Sequence, residues 1–156
     1  MHDQLIEIVF KNISTENIGY ILKDLTSDGQ EVVSCNITSD ELEIDWNDES
    51  SIRRMFQNNT GFGVFINIKE LNGKFICLPK CGIAVYKNGD SIDLEINFQL
   101  SDLMNVPLRD LTKKLMELAK FLSDKYDIDS YFCGLEPANE VNNRLFTNEQ
   151  PGPFFV

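Results

Sequence analysis

The sequence predicts an α+β domain, three helices packed on a mostly antiparallel sheet, and three observations predict it. Segments with a two-residue apolar period recur along the chain. Two Asn-Gly pairs, Asn72-Gly73 and Asn88-Gly89, stand between such segments. Asn-Gly is the strongest short hairpin signal, because both turn positions favour positive φ. Finally, Leu108, Leu111, Leu115, Leu118 and Leu122 repeat at helical spacing. A chain of 156 residues has the size of one domain, 1–156, and 42% hydrophobic with 25% charged residues is a globular balance.

The elements follow in order. Leu5, Ile6, Ile8, Val9 and Phe10 make a strand over 4–11. Ser14 suits the N-cap of the next helix, with Ile13 and Ile18 as its hydrophobic staple. Ile18, Ile21, Leu22 and Leu25 form its apolar stripe, and Asp28-Gly29 closes the unit. Residues 31–37 and 41–46 read as two strands joined by Thr38-Ser39-Asp40. Asp48 caps a short helix over 49–58 that turns Ile52, Met55 and Phe56 inward. A four-strand meander is expected next, from 62–69, 74–78, 81–87 and 90–98. A two-residue loop at Asn88-Gly89 sets Lys87 against Asp90, Val85 against Ile92 and Ile83 against Leu94. The long helix lies within 101–128, with Pro107 in its first turn, where a missing N–H costs little. A final strand is expected at 129–133, followed by an irregular segment, 134–156, docked on the domain and ending in Phe154-Phe155-Val156.

Charge narrows the function. With 14 Lys and Arg against 25 Asp and Glu, the net charge is −11, which argues against nucleic acid or an anionic membrane as the direct partner. It favours a basic partner. The first residues lack a basic start with an apolar block, and no apolar run approaches the roughly 18 residues of a membrane span, so the expected location is cytoplasmic. Four cysteines, Cys35, Cys77, Cys81 and Cys133, are then expected reduced and buried, since only Cys77 and Cys81 have close spacing and zinc sites usually need two such pairs. His2 is the sole histidine, which removes Ser-His-Asp and Cys-His systems. No phosphate-binding glycine loop or nucleophile elbow is present either. No catalytic residue, metal or cofactor is therefore assigned.

The most unusual stretch is 40–49, where six of ten residues are acidic. Glu41, Glu43 and Asp45 alternate with Leu42, Ile44 and Trp46, so on a strand the carboxylates share one face. Asp93 and Glu95 repeat the pattern, and in one sheet the two sets would crowd five carboxylates together. Like charges so placed cost stability and accelerate association with a cation-rich partner. The expected partner-binding set is Glu41, Glu43, Asp45, Asp48, Glu49, Asp93 and Glu95, with Trp46 as an anchor. Charged strands also guard against edge-to-edge aggregation, and a tryptophan usually belongs to the core. Glu136 and Arg144 are expected to pair, either pinning the tail or forming a carboxylate-centred pocket for a small ligand or an enzyme reaction. A third reading is an inhibitor that mimics DNA.

The stretch from Tyr131 to Ala138, Tyr-Phe-Cys-Gly-Leu-Glu-Pro-Ala, with Arg144-Leu145-Phe146-Thr147 and Gly152-Pro153, resembles the ending of small bacterial immunity proteins. These come from polymorphic-toxin and contact-dependent-inhibition loci. The resemblance covers about 25 residues and carries no functional residue across. It implies a cytoplasmic antitoxin that binds and blocks one cognate toxin, often a basic nuclease.

Overall fold

Period-two strands bury one face and leave the other wet, and this decides the architecture. The structure, a computed structural model, describes residues 4–73, 76–103, 105–148 and 150–153. In chain order the elements are β1 (Leu5–Lys11), α1 (Thr15–Leu25), β2 (Val32–Ile37), α2 (Glu49–Asn58) and β3 (Gly61–Ile68). Then come β4 (Glu70–Asn72), β5 (Cys77–Pro79), β6 (Gly82–Asn88), β7 (Ser91–Gln99) and α3 (Leu108–Tyr126). The chain closes with β8 (Ser130–Leu135), β9 (Arg144–Thr147) and β10 (Gln150–Pro151). One sheet of eight strands runs β10-β9-β8-β1-β7-β6-β3-β2, antiparallel throughout. The expected α+β class and its three helices are present.

The inner face carries Ile6, Ile8 and Phe10 of β1, Ile92, Leu94, Ile96 and Phe98 of β7, and Val64, Ile66 and Ile68 of β3. These join one core cluster with Ile18 and Leu22 of α1, Ile52 and Phe56 of α2, and Leu111, Leu115 and Leu118 of α3. Each such side chain contributes roughly 1.5–3 kcal/mol on leaving water. Ser14 Oγ accepts the Glu16 N–H at 3.1 Å, and Ile13 and Ile18 are buried, as the staple requires. Asp24 joins α1 to α3 by accepting the Tyr126 hydroxyl and the Lys125 Nζ proton. Lys87, inward and buried, donates from Nζ to the Asn59 carbonyl at 3.0 Å. That places its cation at the C-terminal, negative end of α2.

Five expectations change. Residues 41–46 form no strand; they run as a loop outside the sheet. Their alternation is nevertheless real: Glu41, Glu43 and Asp45 are exposed, while Leu42, Ile44 and Trp46 pack against the core. A core contact rewards the period as well as a strand partner does. The meander divides, because β3 pairs directly with β6 and β4–β5 forms a separate ribbon. Lys74 and Phe75, expected within it, lie outside the described residues.

The β6–β7 hairpin turns at Gly89-Asp90, so that Asn88 opposes Ser91, Val85 opposes Leu94 and Ile83 opposes Ile96. Gly89 alone takes positive φ there, +63°, the pattern of a turn with glycine first. The register therefore slides by two, and every side chain keeps its expected face. Lastly, segment 134–156 is not irregular throughout. Gly134 and Leu135 complete β8, and Leu145 and Phe146 of β9 are fully buried. Phe154, Phe155 and Val156 lie outside the described residues, as does His2.

Cys81 and Cys133 are buried, and burial pushes the Cys81 thiol up to about 12 and the Cys133 thiol upward as well. Cys35 is half-buried; Cys77, expected inside, is exposed.

The turn after α1 depends on Gly29, whose φ is +84° and whose absent Cβ would meet Trp46 Cγ at 2.5 Å. Trp46 thus packs closely against this backbone. Gly29→Ala is expected to lower the free energy of unfolding by about 1–3 kcal/mol, through backbone strain and loss of that contact. Urea denaturation measures it, and an unchanged midpoint would contradict the role given to Trp46.

Candidate functional site

The outer face of the sheet is where chemistry-bearing side chains meet. Across it, Phe132, Val9, Glu95, Ala84 and Phe65 follow one another on β8, β1, β7, β6 and β3. The next row brings Lys11, Asp93 and Tyr86 together. None of Phe132, Val9, Ala84, Phe65 or Tyr86 belongs to the core cluster. Phe65 and Tyr86 are 40% and 43% exposed, yet they touch edge to face with ring centroids 5.8 Å apart. Two large aromatics standing together in water are unusual on a surface without a binding role.

Carboxyls surround this band. Glu7 stands one register step from Glu95, which faces Val9, so the two acids are diagonal neighbours on the same face. Glu7 Oε2 accepts the Ala138 N–H at 3.2 Å. Burial, then the hydrogen-bonding and charge of Glu7, then the charge of Glu136, push the Glu95 carboxyl up to about 7. The same surroundings raise the Tyr86 phenol, burial first and then Glu95 and Glu7. An open hollow of about 310 Å³ lies here, with Glu7, Val9, Tyr86, Glu95, Phe132 and Pro137 on its walls.

The predicted site residues therefore separate into two groups. Asp93 and Glu95 lie on the outer face of β7, three strands away from β2. Glu41, Glu43 and Asp45 sit on the loop beyond β2, so the five carboxylates do not share one face. Asp93 is also neutralised by this chain's own Lys11, at 2.8 Å, and accepts the Asn12 N–H. Asp48 caps α2 through the Ser51 N–H at 3.3 Å. Glu49 Oε1 is buried against Gly19 with no hydrogen-bond partner. Trp46 covers the Gly29 turn and is half-buried against the core.

Arg144 does not reach Glu136. Its guanidinium donates to the Ala138 and Asn139 carbonyls at 3.3 and 3.1 Å and lies 4.9 Å from the Phe132 ring centroid. It holds the 136–143 turn against the sheet, the pinning role expected of the pair, by carbonyls and a ring instead of a carboxylate. Neither Glu136 nor Arg144 lines the hollow. Glu7, Phe65, Tyr86 and Phe132 were not singled out from the sequence. Their shared signal is the outward phase of four strands, visible only once the strand order places those phases side by side.

No group of side chains suited to hold a metal ion occurs among the described residues, and none of their helices is long and apolar enough to cross a membrane. The sheet is shielded by helices on one side, with aromatics and carboxyls gathered on the other. The chain belongs to the PABL017 Cdi1I immunity protein family, whose model matches residues 4–151. Its fold is similar to a chain in the crystal structure of the toxic C-terminal tip of CdiA from Pseudomonas aeruginosa in complex with immune protein. That likeness has a TM-score of 0.83 at 20% identity and covers 98% of this chain and 99% of the other. No curated protein matches the chain.

Glu95 makes stability depend on pH. Its carboxyl binds a proton more tightly folded than unfolded, so its stabilising contribution is complete below the ordinary carboxylate value of 4.5 and lost as pH rises through about 7. Glu95→Gln removes that titration. The variant is expected to exceed the parent by about 1 kcal/mol at pH 8, solvent screening having reduced the unscreened linkage, and to match it at pH 4. Thermal denaturation at the two pH values measures this; an equal difference at both would contradict it.

Proposed function

We propose that this chain is a cytoplasmic immunity protein that binds one cognate protein toxin and blocks it by occlusion, without a reaction of its own. Membership of an immunity protein family over residues 4–151 carries the reading. The similarity to a chain from a toxin–immune protein complex supports it. So does the net charge of −11, which suits a toxin with a basic surface, such as a nuclease that grips phosphates with Lys and Arg. Carboxylates meeting those cations would cover the toxin's substrate site.

The loop carboxylates Glu41, Glu43 and Asp45 have a part in this reading that needs no direct contact. They are exposed, and none of them takes an ion pair among the described residues. Charges so placed steer an approaching basic protein and change its association rate more than its dissociation rate.

Two measurements test the reading. The probe is the C-terminal domain of whichever large secreted toxin proves to be encoded beside this chain. Producing that domain alone should arrest growth, and producing it with this chain should restore growth. Arrest that persists with soluble chain present contradicts the function. In purified form, Glu43→Lys with Asp45→Lys should slow association about three- to tenfold at low salt, the effect shrinking as salt screens it. An unchanged low-salt rate would remove the loop from the mechanism.

A further inference from the structure

The outer sheet face carries a sharper assignment, which rests on the toxin-binding reading above. We propose that it is the seat of the toxin, and that the seat is built for a basic partner: an arginine or lysine enters between Glu7 and Glu95 while an apolar group covers Phe65 and Tyr86.

Geometry supplies the first support. Phe65, Ala84 and Val9 form an apolar row across β3, β6 and β1, interrupted on β7 only by Glu95. The row is bounded at β8 by Phe132, under the Arg144 guanidinium. The 136–143 turn stands along this border, with Pro137 and Asn139 on the wall of the hollow. One side is therefore raised and the Phe65–Tyr86 side is open. A single long side chain can reach the floor, where Glu7 and Glu95 lie, while the body of the partner rests on the aromatics.

Charge selects the occupant. The groups around Glu95 are Glu7 and Lys11 of β1, Asp93 of β7, Tyr86 of β6 and Glu136 after β8, with Arg144 of β9 beyond them on Phe132. Lys11 is engaged by Asp93, and Arg144 by Phe132 and two carbonyls. That leaves Glu7, Glu95 and Glu136 without an ion-pair partner among the described residues. A guanidinium or ammonium between two carboxyls relieves their repulsion, and removing water from the contact strengthens it. A second copy of this chain is a poor occupant, since it would bring the same carboxyls and a net charge of −11 to meet their like.

Protonation adds a signature. A cation entering beside Glu95 favours its ionised form, so binding releases a proton near neutral pH. Binding should therefore tighten as pH rises from 6 to 8.

The test uses the toxin domain that this chain protects against, immobilised as ligand, with this chain, Phe65→Ala, Tyr86→Ala, Glu95→Lys and Glu95→Gln in solution. Circular dichroism and thermal melts certify each fold. Expected are dissociation about tenfold faster for each aromatic variant and affinity about 100-fold weaker for Glu95→Lys. The parent should bind about three- to tenfold tighter at pH 8 than at pH 6, and Glu95→Gln should lose most of that change. Carbodiimide labelling of Glu95, efficient in the unbound chain and suppressed in the complex, decides the matter if a variant fails to fold. Tight binding by the parent with all variants equal to it overturns the surface and leaves the function standing. A parent that binds no toxin overturns the function beneath it. A concentration-dependent dimer of the parent, abolished by Phe65→Ala, gives the face to a second copy and overturns the proposal.

Discussion

Strict alternation of side chains along β1, β7, β6 and β3 is the constraint on which the rest of the structure depends. Ile6, Ile8, Phe10, Ile92, Leu94, Ile96, Val64, Ile66 and Ile68 all point one way, and all three helices bury their stripes against them. The residues between them must then point the other way, and among the described residues no helix covers them. Glu7, Glu95, Tyr86 and Phe65 are gathered by the same parity that builds the core. A one-residue slip of any of these strands would exchange the two sets and destroy both at once.

This coupling explains why the surface tolerates unfavourable electrostatics. Burial first, then Glu7 on the diagonal and Glu136 beside it, hold the Glu95 proton to about 7, at a cost in stability that a Gln would avoid. The core beneath is large and continuous enough to absorb that cost. Surfaces that sacrifice stability in this way are common where a partner later supplies the missing charge. The acidic loop at 40–49 lies apart from this face, its Leu42, Ile44 and Trp46 packed against the core and its Glu41, Glu43 and Asp45 exposed.

Much of the fold was legible in the sequence because local rules and tertiary packing agree. Ser14, Asp48 and the leucine stripe mark their helices correctly, and Pro107, expected in the first turn of α3, stands one residue earlier at its N-cap. The strand phases of β1, β6 and β7 are also right. Agreement failed where two solutions satisfy one pattern. The alternation of 41–46 fits a strand or a loop lying on the core, and the core won because Trp46 found the Gly29 backbone. At β6–β7, Asn-Gly and Gly-Asp both make tight turns, and Gly-Asp lets Asn88 remain in the ladder. Arg144 found carbonyls and the Phe132 ring where a carboxylate was expected. The binding face was the least legible part. Its members are scattered from position 7 to position 132, and only the strand order β8-β1-β7-β6-β3 makes them neighbours.

The uncovered side of the sheet is proposed to become covered when the partner arrives, and amide and aromatic NMR of the labelled chain, alone and saturated with the toxin domain, reads this out. The largest perturbations are expected on Phe65, Ala84, Tyr86, Glu95 and Val9, with the core-facing amides of α1 and α3 little changed. Perturbations confined to the helical side, with the Phe65 and Tyr86 ring signals unmoved at saturation, would contradict it.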